Sequence, residues 1–69
     1  MGDIVEAILK VLSSKEEISI DDIARDLDAE RDEVINAINT LIVLGLIDVK
    51  RNNDGVIRLS NDARKLLGL

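Results

Sequence analysis

The chain contains no cysteine, histidine, proline, phenylalanine, tyrosine or tryptophan. Without cysteine there is no disulfide framework and no thiol chemistry, and without cysteine and histidine no Cys/His zinc site. With no imidazole, the hydroxyls of Ser13, Ser14, Ser19, Thr40 and Ser60 lack the usual activating base. The carboxylate pairs Asp21/Asp22 and Asp32/Glu33 are adjacent on predicted helices, so they diverge instead of converging on a substrate. EF-hand spacing and a Gly-rich phosphate cradle are missing too. No enzyme activity, no metal site and no cofactor is therefore expected. The lack of aromatics also removes the stacking platform that sequence-tolerant single-strand binding needs.

Long hydrophobic runs are absent as well. The longest uncharged stretch, Val34 to Ile47, is too short to span a bilayer and carries two Asn and a Gly. The start, Met1-Gly2-Asp3-Ile4-Val5-Glu6, is acidic where a secretory or transit segment would be basic. A cytoplasmic protein without membrane contact is expected. What remains is an aliphatic, charged chain of 69 residues, 46% hydrophobic and 33% charged, the size of one domain over residues 1–69. A core this small leaves a thin margin of stability, so dense aliphatic packing or self-association must supplement it.

Periodicity divides the chain. Ile4, Val5, Ile8, Leu9, Val11 and Leu12 recur at helical spacing over Asp3 to Leu12, in two adjoining apolar rows. A polar loop follows at Ser13 to Glu17. Ser19 is placed to cap a helix from Asp21 to Leu27, with Asp22 three residues on and Ile18 and Ile23 at staple spacing. Asp28-Ala29-Glu30 is a tight connection in which Asp28 tolerates a left-handed backbone. A longer helix then runs from about Arg31 to Leu44, with Val34, Ala37, Ile38 and Leu41 on its core stripe and Gly45 closing it. From Leu46 the period becomes two. Asn53-Asp54-Gly55 reads as the hairpin turn, a register that pairs Val49 with Leu59, Lys50 with Arg58 and Arg51 with Ile57. Ile47, Val49, Ile57 and Leu59 then share the buried face. Ser60 caps a last short helix, Asn61 to Leu67.

This order of elements resembles the winged-helix family. Ile18-Ser19-Ile20-Asp21-Asp22-Ile23-Ala24-Arg25-Asp26-Leu27 looks like its first turn helix, and Val34, Ile38 and Leu41 followed by Leu44-Gly45-Leu46-Ile47 look like its recognition helix and exit into the wing. Leu59-Ser60-Asn61-Asp62-Ala63-Arg64 is similar to the Leu-Thr-x-x-Gly segment that follows the wing, with Ala63 in the Gly position. The expected fold is mainly α with a small β-hairpin, a winged helix-turn-helix with a three-helix core, a two-stranded wing and a short C-terminal helix. Two departures stand out: Asp28 where that family commonly has Gly, and Glu30-Arg31-Asp32-Glu33 where a DNA-reading helix usually begins with Ser, Thr, Arg, Lys or Gln.

Charge is distributed unevenly. Residues 1–34 hold eleven acids and four bases, residues 35–69 three acids and five bases. The resemblance implies a transcriptional regulator that binds double-stranded DNA. In that reading the wing cations Lys50, Arg51 and Arg58 hold phosphate, and Arg31, Asn36, Asn39 and Thr40 on the second helix of the turn motif read base edges in the major groove. The alternative is a protein-interaction adaptor that uses acidic and aliphatic faces, which the acidic helix front favours. Aliphatic residues beyond one core stripe (Ile35, Ile42 and Val43 on the longer helix, and a second row on the first) predict contact surfaces. A homodimer or partner interface is expected at Ile4, Ile8, Val11, Ile35, Ile42, Leu66, Leu67 and Leu69.

Overall fold

The computed structural model describes residues 3–50 and 53–69. Its elements are α1 (Asp3–Ser14), β1 (Ile18–Ser19), α2 (Ile20–Asp26), α3 (Arg31–Val43), β2 (Ile47–Lys50), β3 (Asn53–Leu59) and α4 (Asn61–Leu66). The helices follow the periodicity closely. α1 runs two residues beyond the expected end, and there Ser13 and Ser14 donate their hydroxyls back to the carbonyls of Leu9 (2.8 Å) and Val11 (3.0 Å). Ser19 caps α2 by accepting from the Asp22 amide at 3.0 Å. In a capping box the Asp22 carboxylate would reach back to the Ser19 amide; here it accepts from Arg25 instead.

Three helices end in the same way. The amides of Asp28 and Ala29 donate to the carbonyls of Arg25 and Ala24, those of Gly45 and Leu46 to Ile42 and Leu41, and those of Gly68 and Leu69 to Lys65 and Arg64. Each is a Schellman closure, which needs a left-handed residue just past the helix. Gly45 and Gly68 occupy that region at φ 77° and 76°, and Asp28 does so at φ 52°. The left-handed backbone expected at Asp28 and Gly45 is therefore present.

The expected two-stranded wing is present as the β2–β3 hairpin, and the sheet departs from expectation in two ways. First, it gains a third antiparallel strand, in the order β1-β3-β2. Ile18 pairs with Ile57 and Ser19 with Val56, so the residues before α2 form an extra edge strand. Two residues carry no period, which is why the segment reads only as a cap and staple. Second, the hairpin register differs by two: Ile47 pairs with Leu59, Asp48 with Arg58 and Val49 with Ile57. A slip of two keeps every side chain on its face, so the expected apolar face survives. The observed register sets Asp48 against Arg58, which removes the like-charge pair of Lys50 and Arg58. Lys50 pairs with Asn53 across an irregularity, and Asn53-Asp54-Gly55 belongs to β3 instead of forming the turn.

The core joins α1, α2, α3 and the sheet. Ile8, Leu12, Ile18, Ile23, Val34, Ala37, Ile38, Leu41, Ile47, Ile57, Leu59 and Ala63 are all buried. Burial of each large aliphatic among them contributes roughly 1.5–3 kcal/mol. Val49, expected on that buried face, remains 41% exposed near the end of β2. Ser60 links the last helix to this body: its amide donates to the Leu46 carbonyl at 2.9 Å, its hydroxyl donates to the Gly45 carbonyl at 2.7 Å, and it accepts from the Ala63 amide at 3.1 Å. One buried serine thus ties the exit of α3 to the start of α4.

Candidate functional site

α3 presents a mixed outer face. Val34, Ala37, Ile38 and Leu41 point into the core, which leaves Asp32, Glu33, Asn36, Asn39, Thr40 and Val43 exposed. The front of this face is acidic, and Asp28 and Glu30 in the preceding turn are exposed beside it. Among the described residues, these four carboxylates make no ion pair. Arg31, the base at this end, is drawn to Asp21 on α2, with its Nε donating to Oδ1 at 2.8 Å. Farther along, the Thr40 hydroxyl donates to the Asn36 carbonyl at 3.2 Å. Asn36, Asn39 and Thr40 therefore lie together on one exposed helix face, and Arg31 does not join them as a free cation.

One hairpin cation is engaged in a similar way. Lys50 Nζ donates to Glu17 Oε1 at 3.1 Å, closing an ion pair between the end of β2 and the loop before β1. Arg58 faces Asp48 across the strands. Its guanidinium makes no ion pair among the described residues and shares a shallow cleft with Glu16, Asn61 and Arg64. Arg51, the third expected wing cation, lies outside the described residues. Sequence reasoning missed Glu17 and Asp21 as partners of Lys50 and Arg31. Glu17 is 33 positions from Lys50, and no local pattern connects them. The third strand is the signal that would have brought them together.

The expected partner-interface residues divide into three groups. Ile8 is removed from the interface: it is fully buried at the centre of the core, because α1 turns that row inward. Ile4, Val11 and Ile35 are half-buried, with Ile4 and Val11 packed against the core. Ile42, Leu66, Leu67 and Leu69 are exposed, as are Val43 and Leu44 at the end of α3. Ile4 also lines a groove of about 310 Å³ with Ala7, Leu27, Asp28, Ala29 and Glu33, between α1 and the α2–α3 turn. Among the described residues, no cluster of three or more carboxylates is arranged to hold a metal ion, and no helix is long and apolar enough to cross a membrane.

A helix-turn-helix packed on α1 and on a small antiparallel sheet, with the β2–β3 hairpin following the second turn helix, defines a winged-helix domain. The family of the TFIIE alpha subunit matches residues 1–65, and the chain belongs to that family. It is thus a winged-helix module of transcription-factor type. No curated protein and no solved structure matches it.

Proposed function

We propose that this module serves transcription by docking a basic protein surface on its acidic face, formed by Asp28, Glu30, Asp32 and Glu33. One observation carries the reading: these carboxylates are exposed without a cation partner among the described residues, while Arg31 and Lys50 are each engaged by a carboxylate of this chain. Phosphate attraction dominates affinity for a duplex. An acid facing a phosphate a few ångströms away costs roughly 1 kcal/mol even in water. A basic protein surface meets the same face with the opposite sign, so the face that repels DNA attracts such a partner.

A second reading, a duplex reader, is favoured by the exposed amides and hydroxyl of Asn36, Asn39 and Thr40 and by Arg58. The exposed ion pairs of Lys50 and Arg31 are each worth little, about 0.2–1 kcal/mol, and a phosphate can compete for them. Fluorescence anisotropy at low ionic strength separates the two. The expected result is salt-sensitive binding of a labelled Lys/Arg-rich peptide, weakened by Asp32→Asn/Glu33→Gln, with no binding of a labelled random duplex. Duplex binding lost on Lys50→Glu/Arg58→Glu, with no peptide binding, would establish the second reading instead.

A further inference from the structure

Two features at separate places in the fold complement each other. One is the groove of about 310 Å³ between α1 and the α2–α3 turn. Its apolar lining, Ile4, Ala7, Leu27 and Ala29, is half-buried, and the exposed carboxyl residues Asp28 and Glu33 line it as well. The other is the segment Arg64–Leu69, where Leu66, Leu67 and Leu69 are 79%, 49% and 54% exposed beside Arg64 and Lys65. The Schellman closure at Gly68 fixes the shape of this segment: the Leu69 amide donates to the Arg64 carbonyl at 2.8 Å and the Gly68 amide to the Lys65 carbonyl at 3.2 Å. A segment already held in one conformation loses little freedom on docking.

We infer that the groove of one copy takes the Arg64–Leu69 segment of a second copy. The leucines cover the apolar lining, and Arg64 and Lys65 meet Asp28 and Glu33. Sign and polarity together identify the occupant: an acidic apolar groove and a basic aliphatic segment are both present on this chain, and among the described residues neither covers the other or makes an ion pair. Because the two surfaces differ, each contact is heterologous, and two copies that exchange segments close a two-fold dimer with both contacts made. The groove holds only about 310 Å³, so association is weak and reversible, with a dissociation constant on the order of 0.1 mM. This pairing goes beyond the proposed function, but Asp28 and Glu33 belong to both surfaces, so a second copy and a basic partner compete for these two carboxylates.

Sedimentation equilibrium across the micromolar to millimolar range tests it. The wild-type chain is expected to dimerise reversibly, less tightly as salt rises. Leu67→Asp removes an exposed leucine, and Asp28→Asn/Glu33→Lys alters exposed groove residues while keeping a side chain that tolerates the left-handed backbone. Each variant should weaken dimerisation about tenfold or more with helical circular dichroism unchanged. An equimolar mixture of the two should then associate more tightly than either alone, because one intact groove meets one intact segment. A wild-type chain that stays monomeric would overturn the inference. So would dimerisation that neither variant weakens, or a mixture no tighter than its components, since the two surfaces would then not meet.

Discussion

At the hairpin end Lys50 reaches back to Glu17 and Arg58 faces Asp48, whereas at the turn end Asp28, Glu30, Asp32 and Glu33 stand exposed and Arg31 is drawn aside to Asp21. Both ends are carried by the same core, since α3 begins at one and leads into the hairpin at the other. The contrast teaches that net charge is a poor guide to a binding face. Residues 35–69 have a surplus of bases, yet the structure engages Lys50 with a carboxylate from the acidic first half. The first half has many more acids than bases, so its surplus is left facing solvent at the turn.

Removing the shared core is the largest way to break the contrast. Leu41→Ala should cost about 2–5 kcal/mol, because Leu41 is fully buried where α3 meets the rest of the core. Urea unfolding measures it, and a loss below about 1 kcal/mol would mean that the two ends do not share this core. Reversing the turn end comes next. Asp32→Lys/Glu33→Lys should raise affinity for a random duplex at low salt by about tenfold or more, with a steep loss as salt rises. An anisotropy titration that finds no gain would show that the acidic helix front is not what opposes DNA.

The two helix closures offer a finer comparison of the same ends. Gly45→Ala should destabilise by about 1 kcal/mol, since nothing crowds the site and the cost is the left-handed backbone alone. Asp28→Gly should stabilise by about 0.5 kcal/mol for the same reason with the sign reversed. Thermal unfolding of the pair checks both signs. The smallest effect belongs to the hairpin ion pair: both partners are nearly half exposed, so Glu17→Gln should change stability by less than about 1 kcal/mol.

The helices, their caps and the α3 core stripe were legible because each rests on residues three or four apart. Val34, Ala37, Ile38 and Leu41 are buried as the spacing requires, and Ser19 and Ser60 accept the bonds expected of helix caps. The sheet was less legible. Two-residue β1 has no period of its own, and the Asn53-Asp54-Gly55 turn signal was overridden by a register that pairs Ile47 with Leu59 and Asp48 with Arg58. The candidate site suffered most, because its electrostatics depend on distant partners. Arg31 and Lys50 read as free cations until Asp21 and Glu17 are brought beside them.

An amide chemical-shift titration of the intact chain with a short random duplex, at low ionic strength, decides whether the charge layout sets the binding face. Asn36, Asn39 and Thr40 report from the exposed flank of α3, and Lys50 and Arg58 from the hairpin. The resonances of all five should stay in place, whereas a Lys/Arg-rich peptide should move those of Glu30, Asp32 and Glu33. Saturable duplex-induced shifts at Asn36, Asn39 and Thr40 would contradict the account.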